Sequence, residues 1–407
     1  MSFLQQASAR DAADPLAPYR ARFILPDGVI YLDGNSLGAL PAASADVIAR
    51  VVVQEWGAGL IRSWNSAGWF DMAGRVGAKI APLVGADPHE VIACDSTSVN
   101  LFKLIAAALA MRPGRRVILS EPGNFPTDLY MIAGLEAQGL AERRLAPRGA
   151  LEQALDEDVA LLMLTHVHYK TGALYDMAAL TAAAHRAGAL ILWDLSHSTG
   201  ALPVALNSAG ADFAVGCGYK YLCGGPGAPA FAFVAERHQA QLQQPLTGWF
   251  GHAAPFDFGD DYSPAPGIDR LQCGTPPVLG LAALEVGVDL IAEIGVARLY
   301  AKSRALSEFF LGCLDELGVS LARVSPAHSD QRGSQLAFRH ANAYAICQAL
   351  IARGVIGDFR APDVLRLGFA PAYLRFADMA QAARHLADVL ASGEWRQPRF
   401  NQRAAVT

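Results

Sequence analysis

The 407-residue chain sets 33 Lys and Arg against 38 Asp and Glu, a formal charge of -5, and only 17% of its residues are charged. That balance excludes a polyanion-binding surface, so no nucleic-acid partner is expected. The longest apolar stretches are interrupted before membrane-spanning length, so no membrane association is expected either. A chain of this size buries a large core and divides into two domains, or one large domain with an appendage. Cys94, Cys217, Cys223, Cys273, Cys313 and Cys347 lack paired metal-ligand spacing and follow no signal-like opening, and they read as reduced, buried thiols of a cytoplasmic protein.

Residues 1 to 28 are alanine-rich and broken by Pro15, Pro18 and Pro26, which predicts a short helix and an extended arm. Val29 to Leu32 predicts a strand, Asp33 to Pro41 a glycine-rich turn, and Ala42 to Trp56 a helix. Leu60 to Phe70 is a loop presenting Trp64, Asn65, Trp69 and Phe70, either to line a ligand or to cap the core or an interface. A helix over Ala73 to Leu83 and a strand over Val91 to Ala93 follow. Asp95 to Asn100 then places hydroxyls and backbone N–H groups before a helix over Leu101 to Ala110, a natural anion cradle.

From Val117 the pattern alternates: strand 117–120, loop 121–128, helix 129–139, strand 160–169, helix 176–188, strand 189–194. Strands separated by helices predict βαβ units and a mainly parallel sheet. Ala211 to Val215 and Ala230 to Val234 add strands, and residues 236 to 275 form an irregular aromatic and glycine-rich passage that binds something or packs on another chain. Helix resumes from Pro276 to about Gly287 and from Leu290 to Leu317. Strand Ser334 to Arg339, helix Ala341 to Arg353, strand Val364 to Ala370 and helix Met379 to Leu390 then make a smaller α+β unit.

The chemistry concentrates between Ala189 and Gly227. One apolar run ends in Asp194 and His197, a second leads to Tyr219 and Lys220, and both deliver polar groups at strand ends, the usual position of an α/β active site. Lys220, in GCGYKYLCGG, is either a desolvated nucleophilic amine suited to a Schiff base or a lysine whose stem is buried while its head reaches solvent. Asp194 needs a cationic or hydrogen-bonding partner. The protonated pyridine nitrogen of pyridoxal phosphate is one, and a metal shared with His197, His166 and His168 is another, without a compact ligand motif. Thr97, Ser98 and Tyr219 are neutral donors for a phosphate, and Thr127 and Asp128 lie in a second loop before a helix. Neither a P-loop nor a dinucleotide fingerprint is present.

YLDGNSLG (31–38), STSVNLFK (96–103), EPGNFPTDLY (121–130), WDLSHSTGALPV (193–204), GCGYKYLCGGPGAP (216–229), GWFGH (248–252) and LQCGTPPVL (271–279) together carry a resemblance. Spread in order over most of the chain, they resemble the kynureninase family, pyridoxal-phosphate enzymes of tryptophan catabolism; cysteine desulfurases share only the broader arrangement. The resemblance implies an α/β fold of the aspartate-aminotransferase-like type I class, a large domain with a mainly parallel mixed sheet plus a smaller C-terminal α+β domain. The expected division is 1–58, an N-terminal arm and helix packing with the small domain; 59–290, the large cofactor domain; and 291–407, the small domain.

It also implies residue roles. Lys220 would hold pyridoxal 5'-phosphate covalently and Asp194 would pair with its ring nitrogen. Thr97, Ser98 and Tyr219 would contact its phosphate. Phe125 would stack on the ring within the cofactor-binding run Phe125, Pro126, Thr127 and Asp128, and Asp128 and Thr165 would hold the ring's periphery. His197 would lie near ring and substrate, Trp64 and Asn65 near the substrate's aromatic ring, and Arg366 would clamp its α-carboxylate. Trp249 and Thr275 would come from the opposite subunit of a homodimer with shared sites. The implied reaction is hydrolytic cleavage of the Cβ–Cγ bond of L-kynurenine to anthranilate and L-alanine, on the route toward NAD biosynthesis, with 3-hydroxykynurenine a weaker substrate and no metal. Tyr219 is either the acid/base of the later steps or a structural phosphate ligand. The alternatives are another type I enzyme, such as an aminotransferase or a desulfurase using Cys223 or Cys273, and a cofactor-free scaffold.

Overall fold

Short strands that are apolar at nearly every position are buried on both faces, and such strands belong at the centre of a layered α/β protein. In the computed structural model, which describes residues 2–403, they do. The strands are β1 (Val91–Ala93), β2 (Val117–Ser120), β3 (Glu142–Leu145), β4 (Val159–Thr165), β5 (Leu190–Asp194), β6 (Phe213–Cys217) and β7 (Ala230–Val234). They form one seven-stranded sheet in the order β1-β7-β6-β5-β4-β2-β3. All neighbours are parallel except β7, which runs antiparallel to both β6 and β1. A second sheet of β8 (Ala322–Arg323), β9 (Gln335–Arg339), β10 (Asp358–Arg360) and β11 (Val364–Gly368) has the order β8-β9-β11-β10.

The helices that position the site are α1 (Phe3–Ala12), α2 (Thr97–Ala110), α3 (Pro126–Ala137), α4 (Met177–Arg186), α5 (Val278–Ile294), α6 (Val296–Glu316), α7 (Ala343–Ala352) and α8 (Phe376–Ser392). The N-terminal arm is tied to the C-terminal helices. Asp11 caps α8 by accepting from the N–H groups of Phe376 (2.7 Å) and Ala377 (3.0 Å), and Asp14 pairs with buried Lys302 at 2.6 Å.

Several elements differ from expectation: β8 and β10 are strands the sequence did not announce, a short helix Ser63–Ser66 lies within the expected loop, and three further differences bear on how the chain packs. β3 reads ERRL, an exposed edge strand whose composition carries no burial pattern. The α5–α6 break falls at Gly295 (φ 89°) rather than after Gly287. Gly287 is a packing residue: a Cβ there would stand 1.9 Å from the Leu222 carbonyl, so its bareness lets α5 lie against the Lys220 loop. Finally, α2 begins at Thr97, with Ser96 as N-cap accepting from Val99 N–H at 3.3 Å, so Thr97 and Ser98 occupy the first helical turn instead of the preceding loop. The predicted thiols are free, five buried and Cys273 half-buried. Among the described residues no helix is long and apolar enough to cross a membrane.

At the far end of the sheet, buried Asp212 fastens three elements. Its carboxylate accepts from Ile191 N–H of β5 (2.9 Å), His185 of α4 (2.9 Å), Arg237 (2.7 Å) and His238 (2.7 Å). Burial alone would raise its pKa, but the hydrogen bonds from His238, His185 and Ile191 outweigh it and hold the carboxyl at about 2. The folded pKa lies below the unfolded one, so this stabilisation is fully present above about pH 4 and is lost as pH falls toward 2. Asp212→Ala should destabilise the fold at pH 7 by about 2 kcal/mol in urea titration. The gap from wild type should close between about pH 4 and 2.

Candidate active site

Parallel strands β4, β5 and β6 end at one edge of the sheet: Thr165 pairs with Asp194, and Asp194 with Val215. β7 then places the end of β1 beside the end of β6, since Phe231 pairs with both Ala93 and Gly216. The N-terminus of α2 and the Lys220 loop therefore meet at the same edge, where α/β proteins bind ligands. Two of the positive-φ non-glycine residues, Asp95 (φ 50°) and Cys223 (φ 54°), lie in these two loops. Strained backbone of this kind collects at functional sites.

Lys220 is 8% exposed, and its Nζ lies 5.7 Å from the Phe125 ring centre and 5.8 Å from that of Tyr219. His197 Nε2 stands 3.1 Å from Nζ, and its Nδ1 stands 3.1 Å from Gln335 Oε1. Gln335 Nε2 donates to the Tyr169 carbonyl at 2.8 Å, so its oxygen faces the imidazole. Nδ1 must therefore carry the proton, and Nε2 turns a lone pair toward Lys220. Burial, then the charges of Lys220, Arg366 and Arg360, push the His197 pKa well below its ordinary value and keep the ring neutral.

Asp194 accepts from Ser196 N–H at 2.7 Å. Burial raises its pKa, while the Lys220 ammonium and Ser196 act against that rise. Asp128 is fully buried and its Oδ1 has no partner among the described residues. Burial, then the Asp194 charge, pushes its pKa well up, which favours the protonated form at Asp128. Thr165 donates to Asp128 Oδ2 at 3.3 Å and to Asn124 Oδ1, which also accepts from Phe125 N–H at 2.7 Å. Asn124 thus sets the entry to α3, where Pro126 and Thr127 open the first turn. Burial raises the Tyr219 pKa, which keeps its phenol protonated.

Arg366 is 1% exposed and lies on β11 directly across from Asp358 on β10. Its Nε donates to Asp358 Oδ1 at 2.8 Å, its Nη2 to Asp358 Oδ2 and to Ser36 Oγ (2.9 Å), and its Nη1 to the Tyr169 carbonyl. The same carbonyl accepts from Gln335, so a continuous polar chain joins Arg366 to His197 and Lys220.

Four expected residues lie elsewhere within one chain. Trp64 packs on Trp69 and Phe250 at 5.8 Å, and Asn65 is exposed beside it. Trp249 is 41% exposed and contacts Phe250 (4.5 Å) and Phe256 (5.9 Å), and Thr275 is exposed. Sequence reasoning assigned no part to Asn124, Gln335, Asp358, Arg360 or Ser36, although the motifs EPGNFPTDLY and GNSLG contain Asn124 and Ser36. No group of His, Cys, Asp and Glu among the described residues is arranged to hold a metal ion, and His166 is instead a buried neutral ring bonded to Ser198 Oγ at 2.9 Å.

A family model described as the kynureninase C-terminal domain matches residues 299–386. Among solved structures, a cysteine desulfurase from Thermococcus onnurineus superposes with a TM-score of 0.80 at 18% identity, covering 92% of this chain and 98% of that one. A cysteine desulfurase from Escherichia coli gives 0.78 at 20% identity, covering 93% and 98%. These likenesses establish the type I pyridoxal-phosphate-enzyme fold. A kynureninase of Burkholderia mallei is 50% identical over 416 residues, 100% of both chains, and one of Pseudomonas fluorescens is 48% identical over 408 residues, 98% of both. Identity of that order along its whole length makes the chain a member of the kynureninase family.

Proposed function

We propose that Lys220 is the covalent cofactor lysine of a pyridoxal-phosphate hydrolase that cleaves the Cβ–Cγ bond of L-kynurenine with water, releasing anthranilate and L-alanine in tryptophan catabolism. The observation that carries this reading is a buried amine and a buried carboxylate, Lys220 and Asp194, delivered together at the ends of adjacent parallel strands. The residues present fit such a cofactor. Asp194 is a buried carboxylate that a protonated ring nitrogen would partner, and the buried Asp128 Oδ1, unpartnered among the described residues, leaves a second polar atom for the group. The first-turn N–H groups of Thr97 and Ser98 suit a phosphate. Phe125 lies beside Lys220 to stack on the ring.

Bound there, the cofactor supplies an electron sink for negative charge developing on the substrate carbons beside its amine. The chain's own groups supply the rest. Arg366 would anchor the α-carboxylate, and the Lys220 amine, whenever free, would be the base that moves the α-proton. The lone pair on His197 Nε2 orients the Lys220 amine. Tyr219, held protonated by burial, would give a proton to the β-carbon from which the acyl group leaves. A desulfurase reading needs an exposed, low-pKa thiol. Burial instead pushes Cys223 up to about 12, and burial also raises Cys273.

We extend the reading to a homodimer in the cytoplasm, with 3-hydroxykynurenine a weaker substrate, NAD biosynthesis downstream, and working pieces at 1–58, 59–290 and 291–407. Exposed Val53, Trp56, Ile61, Trp249, Phe256 and Phe258 are the kind of apolar surface a second copy covers. Trp64, Asn65, Trp249 and Thr275 would then face the partner's Lys220 pocket.

Incubation with L-kynurenine should release anthranilate and alanine in equal amounts, and cysteine should yield no persulfide; the reverse pattern would reassign the enzyme. Lys220→Ala should lower turnover by about 10³-fold or more while cofactor still binds, seen by its altered absorbance. Light scattering should give twice the chain mass, and Trp249→Ala should weaken cofactor retention without altering the Lys220 pocket of its own chain.

A further inference from the structure

A carboxylate is held well when two N–H groups meet its two oxygens. Arg366 has five N–H groups, and four are engaged: Nε by Asp358, both on Nη2 by Asp358 and Ser36, and one on Nη1 by the Tyr169 carbonyl. A single N–H remains for a ligand. The arginine that the proposed function assigns to the substrate carboxylate is thus largely occupied by its own sheet.

The missing donors stand next to it. Residues 358 and 360 alternate onto one face of β10, the face Asp358 shares with Arg366 across the β10–β11 pair. Arg360 Nη2 lies 2.7 Å from Asp358 Oδ2 and 3.1 Å from Ser36 Oγ, the same two groups that hold Arg366 Nη2. Unlike Arg366, its side chain is 36% exposed, and its Nε is buried with no partner among the described residues. Its charge bears on Tyr169, His197 and Tyr219.

Charge counting favours an anionic ligand here. Two guanidinium groups face one firmly ionised carboxylate, Asp358, whose pKa burial would raise but the Arg366 and Arg360 charges bring down. The neighbouring Asp33 is pushed up to about 7 by burial and by the Asp358 charge, and its Oδ1 is unpartnered among the described residues. The cluster carries positive charge in excess whenever Asp33 holds its proton.

We propose that Arg360 is a second carboxylate-binding residue: the substrate α-carboxylate is gripped between the remaining N–H of Arg366 and the free donors of Arg360, with Asp358 and Ser36 holding the two guanidinium groups together. The inference rests on the reading that Arg366 serves the carboxylate. Asp358 is then a positioning residue, fixing which edge of each fork is left for the ligand.

The test compares Arg360→Gln and Arg360→Met holoenzymes with wild type, the methionine keeping the apolar stem so that the charge is read apart from packing. KM for L-kynurenine and the inhibition constant for L-alanine should each rise about tenfold, the loss of one charge-assisted pair. With kcat staying within about threefold, the change falls on binding rather than on chemistry. Inhibition by L-alaninamide, which lacks the carboxylate, should not move. Wild-type KM and L-alanine inhibition in either folded variant, even with a lowered melting temperature, would reduce Arg360 to a counterion of Asp358 and overturn the proposal. Arg366→Gln separates the two claims. A raised KM there with unchanged Arg360 variants leaves the parent reading standing and sinks only this one, whereas unchanged KM in all three moves carboxylate binding elsewhere.

Discussion

The constraint on which the rest of the molecule depends is the burial of opposite charges at the ends of β5 and β6. An amine and a carboxylate withdrawn from water are costly unless each finds a partner. Here the partners are shared out among strand ends: Ser196 and Lys220 for Asp194, His197 for Lys220, Thr165 for Asp128. The arrangement favours a proton on Asp128, because two nearby acids in the same dry space disfavour each other's charge. The all-buried β4 and β5 are the scaffold that makes it possible, since strands apolar on both faces leave polar groups nowhere to emerge except at their ends.

How much of this is legible in the sequence depends on whether the determinant is local. β5, β7 and the loop around Lys220 announce themselves by composition, because burial on both faces demands uninterrupted apolar runs. β3 does not, because an edge strand reading ERRL answers to solvent rather than to a core. Gly287 reads as a helix breaker by propensity, yet it is in the helix because the Leu222 carbonyl leaves no room for a side chain. Tertiary contact overrides the local preference.

The same distinction governs the site. Asp194, His197, Tyr219 and Lys220 lie within one stretch and could be read together. Gln335 reaches His197 across 138 positions, and Ser36 reaches Asp358 across 322. No local pattern in SQLAFR or GDFRAP marks Gln335 or Asp358 as a partner of residues so far away. Trp64 and Trp249 pose the opposite case: their motifs are readable, but within one chain they meet each other's neighbours, Phe250 above all, rather than Lys220.

The second sheet does more than add a binding surface. Gln335, on β9, fixes which nitrogen of His197 carries the proton, and that choice decides whether the ring offers Lys220 a lone pair or an N–H. Arg366, on β11, is set by the same Tyr169 carbonyl that orients Gln335. The Arg366 guanidinium and the proton position on His197 are therefore coupled through one carbonyl oxygen, between strands that pair directly with each other. Any displacement of the small sheet relative to Tyr169 would release both at once, so the docking of the two sheets is itself a condition for the lysine to be correctly held.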